Sequence, residues 1–153
     1  MIPLLIATTN RGKRFEVHTA LAGVGVDLVT LETFAGLAPP KETGQTFQEN
    51  AALKATYYAS ATGLLTLAED SGLDVEALGG APGVHSARFG GEGLSDEERC
   101  RLVLAAVDAQ GTGVSRAARF TCAVAVADGS RILFEALGTV EGTIARSAAG
   151  SRG

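Results

Sequence analysis

The 153-residue sequence has only two cysteines, Cys100 and Cys122, and neither has a second Cys or a His at metal-ligand spacing. This argues against a disulfide framework and a cysteine-bound metal, and leaves a reduced, cytoplasmic chain as the expectation. Prolines number 4 against 20 glycines, which points to many tight turns and not to disorder. No apolar run is long enough to span a bilayer, and Met1-Ile2-Pro3-Leu4-Leu5-Ile6-Ala7 is too short and lacks the basic flank of a signal sequence. A soluble protein with no membrane partner is expected. Positive charge is also in deficit: the formal net charge is -4, so the long-range field gives no steering toward nucleic acid. A phosphate ligand must instead be gripped locally by a few placed Lys, Arg or backbone N–H groups, or through a bound cation. Repeats and low-complexity tracts are absent, and the length suits one domain over residues 1–153.

The hydrophobic pattern predicts an α/β fold, a mixed central sheet flanked by helices. Leu4-Leu5-Ile6-Ala7 reads as a strand buried on both faces. A helix follows, with Phe15, Val17, Leu21 and Val24 on one apolar side and Gly23 or Gly25 as its stop, and then a strand over Val26 to Leu31. Residues 34–44 read as a loop presenting Lys41 and Glu42. Thr46 with Glu49 forms a capping box for a long Ala-rich helix that stops at Gly63. Leu64 to Ala68 is a second apolar strand, expected to end in the polar motif Glu69-Asp70-Ser71-Gly72. Ser95 and Glu98 cap a helix through Ala109, and Asp128-Gly129 turns a hairpin between Phe120 to Val126 and Ile132 to Leu137. The stretch Ser147 to Gly153 is expected to be a polar, flexible tail with no closing element.

Two strand ends carry the groups suited to chemistry. The P-loop pattern fails because Ala7 and Arg14 stand where Gly and Ser or Thr belong, and the dinucleotide fingerprint fails because Leu28 stands where a third glycine belongs. What remains is Thr8-Thr9-Asn10-Arg11-Gly12-Lys13, a strand-to-helix turn with hydroxyls, an amide and a cation near a helix N-terminus, which favours anions. Asn10 as a plain helix cap with a solvated Lys13 is the competing reading. Asp70 suits a metal ligand or general base, with Glu42 and Glu69 as further oxygen donors for Mg²⁺, or else it closes a local turn. Lys54 either points at phosphate or is an ordinary solvated helix residue. His18 and His85 have no triad partner at a readable spacing.

Taken in order, the segment Ala7 to Lys13, Glu42-Thr43-Gly44, Thr46-Phe47 with Glu49-Asn50-Ala51 and Lys54-Ala55, Asp70-Ser71-Gly72-Leu73, and Gly79 to Gly83 through Ser86-Ala87-Arg88 closely resemble the XTP/dITP diphosphatase family, which is inosine-triphosphate-pyrophosphatase-like. The resemblance covers essentially the whole chain. It implies a homodimeric, house-cleaning hydrolase that uses Mg²⁺ to convert XTP, ITP and dITP to the monophosphate and pyrophosphate. It further implies that Thr8, Thr9, Asn10, Arg11, Gly12 and Lys13 bind substrate, that Asp70 binds metal and accepts the proton of the attacking water, that Ser71 contacts substrate, that Glu42 joins the metal and that Lys54 neutralises phosphate. His85 departs from the aromatic residue common in the family. The family's later Phe-Gly-Tyr-Asp, Lys and Ser-His-Arg motifs, which grip the base, are absent, so the resemblance implies a C-terminally incomplete domain missing the C-terminal elements, with weak or no activity alone. The alternatives are a Maf-like nucleotide pyrophosphatase, against which Thr9 to Lys13 argues, and an inactive nucleotide-binding or structural remnant.

Overall fold

A computed structural model describes residues 1–150. Among the described residues, eight α-helices and β-strands follow in the order β1 (Ile2–Ile6), α1 (Arg11–Ala20), β2 (Val26–Thr30), α2 (Phe47–Thr62), β3 (Leu65–Val75), α3 (Asp96–Asp108), β4 (Ala117–Asp128) and β5 (Arg131–Thr143). The strands form one sheet in the order β2-β1-β3-β4-β5. β1 runs parallel to both neighbours, with Leu4 opposite Leu28 on one side and Leu65 on the other. The two-residue turn between β4 and β5, with Gly129 at φ 56°, reverses the chain, so the sheet is mixed. This is the α/β architecture that the hydrophobic pattern predicts.

The described residues form two compact units, residues 1–70 with 123–137, and residues 71–122 with 138–150. In the first unit, Leu4 to Ala7 are buried as a continuous apolar run, as the sequence predicts for a central parallel strand. α2 buries Phe47, Ala51, Ala55 and Ala59, a stripe of period four on one helix face. Its ends are fixed locally. The Thr46 hydroxyl accepts from the Glu49 N–H, and Gly63, at φ 70°, donates its N–H to Ala59 in a left-handed C-cap. The expected capping box is only half made, because the Glu49 carboxylate accepts from the Gln45 N–H at 2.7 Å and not from Thr46.

Other sequence expectations are corrected. α1 ends at Ala20, leaving Leu21 and Val24 beyond it, and it buries no residue; Phe15 is 71% exposed. Periodicity reports which side a helix has available to bury, not what meets it. β5 continues past Leu137 to Thr143. The largest correction concerns Glu69-Asp70-Ser71-Gly72, which does not end its strand but lies inside β3. β1 pairs only with Leu65 to Leu67, while β3 runs on beside β4, and that pairing overrides the turn preference of Asp, Ser and Gly. The motif still lies beyond the carboxyl end of β1.

In the second unit, Val75, Val103, Val107 and Ala118 form the core, with Leu73, Leu78, Phe89, Val114 and Ile144 packed against it. α3 has the full capping box, with Ser95 accepting from the Glu98 N–H and Glu98 accepting from the Ser95 N–H. Donation from the Ser95 N–H and then from its hydroxyl holds the Glu98 carboxyl below its ordinary pKa. Replacing Ser95 by alanine should cost about 1 kcal/mol, lowering the midpoint of thermal unfolding by about 2–4 °C. A melt unchanged at neutral pH contradicts this. Of the tail expected at 147–153, residues 147–150 lie outside helices and strands, while 151–153 lie outside the described residues.

Candidate active site

Sequential strand residues face opposite sides of a sheet. Glu69 and Asp70, both 6% exposed, therefore look to different faces from the same strand. The helices that meet them follow from topology. The path from β1 to β2 and back across to β3 uses right-handed crossovers in opposite directions, which puts α1 and α2 on opposite faces. Lys13 of α1 pairs with Glu69 at 3.0 Å, and Lys54 of α2 lies 3.6 Å from Asp70.

The turn after β1 is organised by its own side chains. The Thr8 hydroxyl accepts from the Asn10 N–H at 3.2 Å, and the Asn10 side chain accepts from the Lys13 N–H at 3.1 Å. Asn10 is thus the N-cap of α1, as the plainer sequence reading had it, but Lys13 is not simply solvated. Thr9 and Gly12 are exposed, and so is Arg11, whose charge acts on Glu32, where Arg14 forms a 2.7 Å ion pair. Arg11 lines a groove with Arg14, Phe15 and His18, so the turn's two basic side chains serve different surroundings.

On the α2 side, the Lys54 ammonium bridges two carboxylates, Glu42 at 3.0 Å and Asp70 at 3.6 Å. The Lys54 side chain is 13% exposed, far from a solvated surface residue. The loop bearing Glu42 is held to α2 at two places: the Tyr57 hydroxyl donates to the Ala38 carbonyl, and the Asn50 side-chain oxygen accepts from the Gly44 N–H, both at 2.8 Å. Asn50, Lys54 and Tyr57 occupy one helix face at spacings of four and three. Ser71 is half-buried in β3 and belongs to the second unit.

Burial raises the Asp70 pKa above its ordinary value, and the nearby Glu42 charge adds to this; Lys54, the Asn50 side-chain hydrogen bond and Lys13 act in the opposite direction. One carboxylate oxygen, Oδ2, is buried without a hydrogen-bond partner. Buried polar atoms are rarely left so, and a bound cation is one explanation for such an oxygen. Among the described residues no group of three or more His, Cys, Asp or Glu is placed to hold a metal. Glu69, expected as a further oxygen donor, is engaged by Lys13 instead. The available donor set is Glu42 and Asp70, and two carboxylates fit Mg²⁺, which keeps several waters and takes its other oxygens from substrate phosphates.

The sequence reading assigned Asn50 no role. A buried amide on the same α2 stripe as Phe47, Ala51 and Ala55 was the available signal.

Comparison with known proteins gives the family and the fold. Residues 4–153 match the sequence model described as the Ham1 family. A dITP/XTP pyrophosphatase from Exiguobacterium sp. is 45% identical over 150 residues, covering 98% of this chain and 75% of that protein. One from Thermus thermophilus is 47% identical over 152 residues, covering 98% of this chain and 71% of that protein. The structure of a HAM1 protein from Coxiella burnetii superposes with a TM-score of 0.88 at 36% identity, covering all of this chain and 78% of that one.

Proposed function

The chain belongs to the Ham1 family, and from that premise we propose that it hydrolyses non-standard purine nucleoside triphosphates such as XTP, ITP and dITP to the monophosphate and pyrophosphate. The observation that carries the reading is the buried Asp70 carboxylate, with one oxygen unpartnered, beside Glu42 and the Lys54 ammonium. Its relatives' names supply the substrate class.

In the proposed reaction, water attacks the α-phosphorus, the bond from that phosphorus to the α,β-bridging oxygen breaks, and pyrophosphate leaves. Asp70 accepts the proton of the attacking water, a role helped by a pKa raised toward the working range. Glu42 and Asp70 would hold Mg²⁺, which when bound neutralises phosphate charge and acts as a Lewis acid. Lys54 is placed to exchange its carboxylate partners for phosphate oxygens. Lys13 does the same from the first turn of α1, with Glu69 fixing its ammonium in the absence of substrate. Thr8 and Asn10 shape the turn that presents the first backbone N–H groups of α1. Thr9, Arg11, Gly12 and Ser71 complete the proposed substrate contacts.

The proposal extends to a cytoplasmic homodimer, supported by the family resemblance. Among the described residues no helix is long and apolar enough to cross a membrane. The deciding experiment measures pyrophosphate release from dITP, XTP, dGTP and dTTP with Mg²⁺. Preference for dITP and XTP by about tenfold or more supports the proposal. Preference for dTTP favours Maf-like chemistry, and no release from any of the four favours a non-catalytic protein.

A further inference from the structure

Asn50 is 2% exposed, and its polarity is out of place on the buried side of an Ala-rich helix. Burying an amide is unfavourable unless both of its ends are hydrogen-bonded. One end is accounted for, since Oδ1 accepts from the Gly44 N–H at 2.8 Å. That leaves only the NH₂ group to donate, and the Asn50 side chain is near enough to the Asp70 carboxylate to favour its charged form. One amide therefore lies between the loop that carries Glu42 and the strand that carries Asp70.

The approach at Gly44 is close enough to exclude any side chain there. An added Cβ would lie 2.6 Å from Asn50 Oδ1 and 2.9 Å from the Asn50 backbone nitrogen. The helix backbone has no freedom to yield, so glycine at position 44 is what allows the loop to reach the amide. Two residues before this contact, Glu42 meets Lys54, one turn along α2 from Asn50.

Resting on the metal reading above, we propose that Asn50 is a positioning residue: its amide, held by Gly44 on one side and facing Asp70 on the other, fixes the relative placement of the Glu42 and Asp70 carboxylates at which both can serve one divalent cation. It touches neither substrate nor metal. The carboxylates sit on elements far apart in sequence; Lys54 meets both of them, and Asn50 holds the loop of the one while facing the other. Lys54 is a flexible cation that phosphate can draw away, whereas the Asn50 amide is itself neutral and buried.

The test uses Mn²⁺ as a carboxylate-binding probe, titrated by calorimetry into the protein without nucleotide, together with thermal melts and amide exchange at Gly44. Asn50→Leu, of similar size with neither hydrogen bond, should remain cooperatively folded, bind Mn²⁺ about 10–100-fold more weakly and lose protection at the Gly44 amide. Folded Asn50→Leu with wild-type Mn²⁺ affinity overturns the proposal. Asn50→Asp keeps the acceptor for Gly44 but removes the donor to Asp70. It should retain Gly44 protection and still lose at least about tenfold in kcat at saturating Mg²⁺, a loss that a purely structural tie to Gly44 does not produce. Wild-type kcat in Asn50→Asp overturns the proposal even if Asn50→Leu fails to fold. Wild-type protein that binds Mn²⁺ but releases no pyrophosphate refutes the proposed reaction alone, and the Asn50→Leu affinity then decides this inference. Failure of the wild type to bind Mn²⁺ removes both.

Discussion

Asp70→Asn is expected to lower pyrophosphate release on the order of 10²–10⁴-fold while leaving the protein folded and, at neutral pH, more resistant to heat. The loss follows from removing both the proton acceptor and one of the two carboxylates available to a metal. The gain in stability follows from the raised pKa of Asp70, whose first cause is burial. Between the ordinary value of 3.8 and the higher folded value, the native state holds more protons than the unfolded state. The contribution of Asp70 to stability therefore declines as pH rises through that window, and above it the ionised carboxylate is a net cost. Asparagine carries no such charge, and Lys54 keeps Glu42 as a partner at 3.0 Å. The Asp70→Asn advantage in melting temperature should be present at pH 7 and shrink as the pH falls toward 3.8. Pyrophosphate release and melts over this pH range measure both halves. Unchanged turnover sinks the catalytic assignment, and an advantage that grows on acidification sinks the burial argument.

Lys54→Met is expected to have the opposite effect on stability. The ammonium lies between Glu42 and Asp70, whose side chains are 32% and 9% exposed. Removing it leaves two carboxylates facing each other with no cation between them. Breaking a buried ion pair from one side costs about 3–5 kcal/mol, and the partial exposure of Glu42 places this case near the lower end. A loss of about 3 kcal/mol corresponds to a fall of about 6–12 °C in melting temperature. A divalent cation restores positive charge between the same oxygens and binds only the folded arrangement, so millimolar Mg²⁺ should raise the melting temperature of Lys54→Met more than that of the wild type. Melts with and without Mg²⁺ decide the matter. Equal increments in the two proteins contradict the shared location of ammonium and metal.

What the sequence makes legible depends on how local the cause is. The N-cap residues Thr46 and Ser95, the stop at Gly63 and the Asp128-Gly129 turn all arise from residues within one turn of one another, and the structure has each at its expected place, although the α2 box is only half made. The course of β3 through Asp70, Ser71 and Gly72 is set by pairing with β4, a strand far along the chain, so local preference pointed to a turn instead. Phe15 shows the same limit for helices: its spacing fits an apolar stripe, but exposure depends on what packs there. In the candidate site, Thr8 to Lys13 and Asp70 stood out as polar groups after buried strands. Spacing alone could not bring Glu42, Lys54 and Asp70 together, and ordered resemblance was needed to group them. Asn50 has no chemical signature in the sequence, because an amide within a helix gains a role only from what packs against it.

The mid-strand position of Asp70 also determines where the entropy of ligand binding must come from. A carboxylate on a strand embedded in the sheet has little backbone freedom left to lose, so capturing a charged ligand costs almost nothing on that side. Residues 37–44 have no regular secondary structure, yet the Tyr57 and Asn50 tethers to α2 have already narrowed what that loop can sample. The ordering that remains is mainly that of two long side chains, Lys54 and Glu42, as they change partners. Such an exchange is a matter of rotamers, completed within one fold, and it calls for no rearrangement of the sheet on which Asp70 sits.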